Sequence, residues 1–202
     1  MQYEVELKYP VPGHAAIREQ LQQLGAHFHT PRIEIDRYFT HPCRCFGETD
    51  EALRIRRIGD DCFITYKGPR LDKKTKTRVE LEYPLDAPDY IADVVEDGAP
   101  VEKKLACWTL LLEKLGFGQL SEVRKERHAA ELVWHDEPVE ITLDDVDRVG
   151  TYVELEWVTE EHALLDEGRA RVLSLAEQLG LADMERRSYL ELLLCRKALS
   201  DE

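Results

Sequence analysis

The sequence predicts an α+β domain in which an antiparallel sheet carries ionised side chains along one face and is flanked by helices. Three observations lead there. Seven stretches alternate apolar and polar residues with the period of two that a half-buried strand requires. Four stretches read as helices, three from apolar spacing closed by a glycine and one from a capping pattern. No internal repeat and no linker rich in Pro, Gly or Ser divides the chain, so residues 1–202 read as a single domain.

In chain order, Tyr3, Val5, Leu7 and Tyr9 alternate with Glu4, Glu6 and Lys8. Helical spacing follows from His14 to Leu24 and ends at Gly25. Leu53 and Ile55 then alternate with Arg54 and Arg56, and Ile64 and Tyr66 with Thr65 and Lys67. Val79, Leu81 and Tyr83 alternate with Arg78, Glu80 and Glu82. From Pro100 to Gly116, Val101, Leu105, Trp108, Leu112 and Leu115 form one apolar stripe, with proline at the start and glycine past the end as punctuation. The pattern blurs over 123–127, where Lys125 and Arg127 share one face and Arg124 and Glu126 the other. Val139, Ile141 and Leu143 alternate with Glu140, Thr142 and Asp144, and Val153, Leu155 and Trp157 with Tyr152, Glu154 and Glu156. Glu160 to Leu179 is helical and closes on Gly180; a last helix begins at Ser188, with Glu191 completing a capping box.

Composition sets the outer bounds. The 202 residues carry 27 Lys+Arg against 41 Asp+Glu, a formal charge of −14, at 43% hydrophobic residues, which is an acidic globular chain rather than a disordered one. The longest apolar run falls far short of the ~20 residues of a membrane-spanning helix, and the opening MQYEVELKYP has no apolar leader core. Five scattered cysteines fit a reducing compartment, so the expected location is cytoplasmic, with no membrane partner. The acidity argues against general nucleic-acid binding. Yet the charge is sorted. Tyr66 to Arg78 holds six bases and one acid, whereas Glu131 to Glu167 holds thirteen acids and one base, Arg148.

The polar strand faces are the anomaly. They carry Glu4, Glu6, Glu80, Glu82, Glu140, Asp144, Glu154 and Glu156 against Lys8, Arg54, Arg56, Lys67, Arg78, Lys125 and Arg127. The plain reading is a set of exposed cross-strand ion pairs, each worth about 0–1 kcal/mol. Against it, several strands bunch like charges, which repel unless an opposite charge, a metal or an anion lies between them. Paired carboxylates are hard oxygen ligands for Mg²⁺ or Mn²⁺. Paired Arg and Lys suit phosphate. A closed antiparallel barrel with these faces inward would hold a metal-bound polyphosphate along its axis, but periodicity does not separate an inward face from an outward one.

Glu4-Val5-Glu6-Leu7-Lys8 fits E-x-E-x-K, and further landmarks follow in order. They are Asp36-Arg37-Tyr38-Phe39, the run Asp50 to Arg56, Thr65-Tyr66-Lys67-Gly68-Pro69, Arg78-x-Glu80-x-Glu82, Val123-Arg124-Lys125-x-Arg127, Leu143-Asp144-Asp145-Val146, Val149 to Glu156 and Arg187 to Leu193. Over residues 3–194 the chain resembles the CYTH, or triphosphate tunnel metalloenzyme, superfamily, most nearly class IV adenylyl cyclases and their archaeal and bacterial relatives. The resemblance implies an eight-stranded antiparallel closed β-barrel, the triphosphate tunnel, with flanking helices. It implies divalent metal on Glu4, Glu6, Glu154 and Glu156, together with Asp144. It implies triphosphate bound by Lys8, Arg54, Arg56, Lys67, Lys125 and Arg127, and also Arg78, with Glu80, Glu82 and Glu140 lining the tunnel. Lys8, Tyr38 and Lys67 are candidates for catalytic work, Lys8 and Tyr38 as proton acceptors of lowered pKa. Asp144 against Asp145, Lys125 against Arg124 and Arg56 against Arg57 remain open; alternation favours the first of each pair, and a bulge would reverse that.

The leading expectation is conversion of ATP to cyclic AMP and pyrophosphate with Mg²⁺ or Mn²⁺. The alternative is hydrolysis of inorganic or organic triphosphate (tripolyphosphate, thiamine triphosphate, a nucleoside triphosphate), and a third reading is a non-catalytic polyphosphate-binding module. Relatives suggest a homodimer. His41, Cys43 and Cys45 are spaced too tightly for a zinc site without a second ligand pair. His27 and His29 read as a surface pair, and Gly68-Pro69 and Gly150 as turns. Lys73-Lys74-Thr75-Lys76 reads as a solvated loop or a lid, and Trp108 with Leu111–Leu115 as core or a helix-packing surface. The sequence marks no adenine pocket.

Overall fold

The computed structural model describes residues 3–69, 78–86 and 100–200. The strands are β1 (Tyr3–Pro10), β2 (His27–Phe28), β3 (Arg32–Thr40), β4 (Ala52–Ile58), β5 (Asp61–Lys67), β6 (Arg78–Pro84), β7 (Gly118–Trp134), β8 (Glu137–Val146) and β9 (Gly150–Thr159). The helices are α1 (Ala15–Gln23), α2 (Phe46–Thr49), α3 (Pro100–Lys114), α4 (Leu165–Gln178), which follows a 3₁₀ turn at His162–Leu164, and α5 (Tyr189–Ser200). Eight strands pair antiparallel in the order β7-β3-β4-β5-β6-β1-β9-β8, and β8 returns to β7 and closes the barrel. The two residues of β2 add to the distal half of β7.

Closure turns one side of every strand into a shared bore. Here the apolar side faces out. Val5, Leu7 and Tyr9 of β1, Val139, Ile141 and Leu143 of β8 and Val153, Leu155 and Trp157 of β9 pack against Ile17 and Leu21 of α1 and Val172, Leu175 and Ala176 of α4. Each such fully buried side chain contributes about 1.5–3 kcal/mol. The contact is close at Gly168, where a Cβ would lie 2.2 Å from Cε3 of Trp157. On another side Phe39, Leu53, Ile55, Cys62 and Leu85 meet Val101, Leu105 and Leu112 of α3, while Leu111 and Leu115 face outward. Gly116 ends that helix with φ of 93°, a left-handed conformation open to glycine. At one end of the barrel, α5 brings Tyr189, Leu192 and Leu193 onto Tyr38, Val123, Val146, Val149 and Tyr152. Ser188 and Glu191 form the reciprocal cap expected there, Glu191 N–H donating to Ser188 Oγ at 3.1 Å and Ser188 N–H to the Glu191 carboxylate.

Two strands lie outside the seven that alternation marks. In β3, Ile33 and Ile35 alternate with Glu34 and Asp36, a strand pattern that runs into the Asp36–Phe39 landmark. The strand β2 is too short to show a period. The helix expected over 160–179 begins as a 3₁₀ turn and becomes α-helical at Leu165. The blurred 123–127 stretch belongs to a 17-residue strand, whose outward charges pair at the surface: Arg124 reaches Asp147 at 3.3 Å. The Lys73–Lys76 run lies outside the described residues.

Candidate active site

The order of the strands sorts the bore into two walls. Four consecutive strands, β6, β1, β9 and β8, contribute Glu80 and Glu82, Glu4 and Glu6, Glu154 and Glu156, and Glu140 and Asp144, with Arg78 of β6 and Lys8 of β1 as the bases among these acids. The opposite four, β7, β3, β4 and β5, contribute Lys125 and Arg127, Glu34 and Asp36, Arg54 and Arg56, and Lys67. Side chains from both walls, though not Glu34, Asp36 or Asp144, line one cavity of about 440 Å³. Alternation decides the three open pairs: Asp144, Lys125 and Arg56 are buried, while Asp145 and Arg124 are exposed and Arg57 reaches outward to Glu102 at 3.8 Å.

On the acidic wall, strand register aligns three carboxylates. Glu6 is opposite Glu156 across β1 and β9, and Glu156 is opposite Glu140 across β9 and β8. Like charges directly opposite repel. Burial, then Glu140 and Glu6, push Glu156 up to about 8 against the pull of Lys67. Burial and Glu156 likewise raise Glu4 well above the usual carboxylate range. Lys67 relieves part of this strain, its Nζ lying 3.2 Å from Glu4 and 2.6 Å from Glu80. Among the described residues no three acids, His or Cys already converge as a ligand cluster. The chemistry nevertheless fits a divalent cation: enclosed, hard carboxylate oxygens that burial and mutual repulsion keep short of positive charge.

Glu34 and Asp36 are missing from the sequence-derived site, yet they hold the basic wall together. The Glu34 carboxylate is wholly enclosed, 3.1 Å from Lys125 Nζ and 3.3 Å from Arg56 Nη1, with Arg32 Nε donating at 2.7 Å. Asp36 takes two bonds from Arg56, at 2.7 and 2.8 Å, and one from Arg54 at 3.1 Å. Burial opposes both charges, but the surrounding cations win and hold both acids well below the ordinary range. On β8, Asp144 accepts from Arg127 Nε at 2.7 Å and Nη2 at 2.5 Å, and from the Tyr189 hydroxyl at 3.0 Å. The same Arg127 reaches Glu154 at 2.6 Å. Both oxygens of Asp144 therefore accept from Arg127, so this carboxylate anchors the guanidinium from within the set of expected metal ligands.

The three residues expected to do catalytic work, Lys8 and Tyr38 as proton acceptors and Lys67 beside them, fare differently. Burial, with Asp36 nearby, raises Tyr38 rather than lowering it. Burial works against the charge on Lys67, but Glu4 and Glu80 overcome it and hold the pKa above that of ordinary lysine. Lys8 is almost fully buried, donates to the Arg187 carbonyl and stands 4.0 Å from the centre of the Tyr189 ring. Arg78 is buried, 3.4 Å from the Asp50 carbonyl; Glu80 and Glu82 approach Arg54 at 3.7 and 4.0 Å, and Thr65 donates to Glu82 at 2.7 Å. Glu140 is exposed at the cavity rim. Cys43 and Cys45 are exposed, and Cys43 N–H donates to His41 Nδ1 at 3.0 Å. His29 pairs with Glu131 at 3.3 Å on the surface.

A scan against family models matches the CYTH domain over residues 2–189. The chain belongs to the CYTH family. It is 32% identical over 191 residues to a Methanocaldococcus jannaschii protein carrying the name “putative adenylate cyclase”, covering 94% of this chain and 97% of that one. Adenylate cyclase CyaB of Aeromonas hydrophila is 33% identical over 209 residues, covering 98% and 91%. Among solved structures, the PH1819 protein of Pyrococcus horikoshii superposes with a TM-score of 0.78 at 35% identity, over 96% of this chain and 99% of that one. CYTH membership brings divalent-metal dependence and triphosphate substrates with it. No helix among the described residues is long and apolar enough to cross a membrane.

Proposed function

We propose that this chain is a class IV-type adenylyl cyclase that converts ATP to cyclic AMP and pyrophosphate. The carrying observation is the opposition, within one tunnel, of a largely acidic wall and a largely basic one. The names borne by the Methanocaldococcus and Aeromonas relatives favour cyclisation among the triphosphate reactions such a tunnel could support. Mg²⁺ or Mn²⁺ would be held by Glu4, Glu6, Glu154 and Glu156, together with Asp144, and would supply charge neutralisation at the phosphate oxygens. Arg54, Arg56, Lys67, Lys125 and Arg127, with Lys8 and Arg78, bind the triphosphate and stabilise the departing pyrophosphate. The ribose 3′ oxygen bonds to the α-phosphorus, the bond from that phosphorus to the bridging oxygen of the β-phosphate breaks, and the 3′ proton is released. Glu34, Asp36 and Asp144 fix the guanidinium groups in advance, so little reorganisation accompanies the reaction. The reading takes residues 1–202 as one cytoplasmic domain that pairs as a homodimer.

Incubation with ATP and Mg²⁺ or Mn²⁺ tests it. Cyclic AMP and pyrophosphate in equal amounts, with no orthophosphate, is the expected result. Orthophosphate from ATP, thiamine triphosphate or tripolyphosphate would instead assign the tunnel to triphosphate hydrolysis. Metal-dependent turnover should disappear in folded Glu4→Gln and Glu154→Gln variants, and full activity in both would overturn the ligand assignment.

A further inference from the structure

We infer that Tyr189 is a positioning residue that presets the phosphate-gripping cations at the α5 end of the tunnel. This rests on the triphosphate reading above and assigns a role to the first residue of a helix which that reading leaves unused. Tyr189 is 7% exposed and lines the cavity. Its hydroxyl donates to Asp144 Oδ2 at 3.0 Å, and Asp144 in turn holds Arg127 through two hydrogen bonds. Its ring faces two ammonium groups, Lys8 Nζ at 4.0 Å and Lys125 Nζ at 5.4 Å from the centroid. The Tyr152 ring braces it edge-on at 5.3 Å.

One side chain therefore touches, directly or through one carboxylate, three of the cations assigned to the triphosphate. The negative ring face attracts both ammonium groups, adding for Lys125 to the carboxylates of Glu34 at 3.1 Å and Asp144 at 3.5 Å. Phosphate oxygens can still displace the weaker ring contact. The backbone reinforces the arrangement, since Lys8 donates to the Arg187 carbonyl and the Glu185 N–H donates to the Lys8 carbonyl at 2.7 Å. Groups held beforehand in the bound geometry bind more tightly because less order is lost on binding.

The test measures tripolyphosphate affinity by calorimetry in EDTA, which removes the metal from the question, for wild type, Tyr189→Phe and Tyr189→Leu. Melting curves identify a temperature at which all three are folded. Phe keeps the ring and loses the bond to Asp144; Leu loses both. The expected dissociation constants rise about threefold for Phe and about tenfold or more for Leu, and kcat for ATP with saturating Mg²⁺ falls in the same order. If Leu does not fold, the Phe variant alone decides. Wild-type affinity in the folded variants overturns the inference. Wild type that binds no tripolyphosphate overturns the proposed function and the inference with it, and that control is read before any variant.

Discussion

Glu34 stands among Arg32, Arg56, Lys125 and Arg127, and Asp36 between Arg54 and Arg56, both without access to solvent. Removing one partner of a buried ion pair leaves the rest uncompensated, at a cost of about 3–5 kcal/mol. Glu34→Gln should lose about that much stability at pH 7, measured by urea unfolding. The pH dependence has a definite sign. Both acids are held below their usual pKa, so their contribution is complete above about pH 5 and is lost as pH falls through the folded-state values. Wild type should weaken steadily on acidification below pH 5, and Glu34→Gln should show a flatter profile. A parallel profile would show that Glu34 does not carry this dependence. These two acids were legible in principle, since Ile33 and Ile35 frame them as a strand face. What no sequence displays is that they hold cations rather than a metal.

Elements decide which face is which. Alternation marks Val5 and Leu7 against Glu4 and Glu6 as two faces of a strand, but the same pattern serves a solvated sheet. The bore becomes the charged side because α1, α4 and α3 cover the outer apolar face, as Trp157 against α4 shows. Gly168 is the contact point, and an added methyl group would meet the indole at 2.2 Å. Gly168→Ala should cost about 1–3 kcal/mol through overpacking, detectable as a lowered melting temperature, with ligand affinity little changed in the folded protein. An unaltered melting temperature would mean that α4 shifts freely on β9. For a related reason, spacing places Tyr38 in the bore but does not reveal that burial and Asp36 raise its pKa rather than lower it.

For the whole molecule, a net charge of −14 conceals a division into two facing walls. A cation relieves one wall and a polyanion the other, so each makes the tunnel better suited to its partner. Mg²⁺ and tripolyphosphate together should raise the melting temperature by more than the sum of their separate effects, because opposite charges bound on facing walls each strengthen the binding of the other. Strictly additive shifts would show two independent sites. Crystals grown with Mn²⁺ and a non-cyclisable ATP analogue address the central claim most directly. Anomalous scattering should place manganese among Glu4, Glu6, Glu154 and Glu156, with the phosphates on Arg54, Arg56, Lys125 and Arg127. Manganese and phosphates bound outside the barrel, with the bore holding only water, would contradict the account.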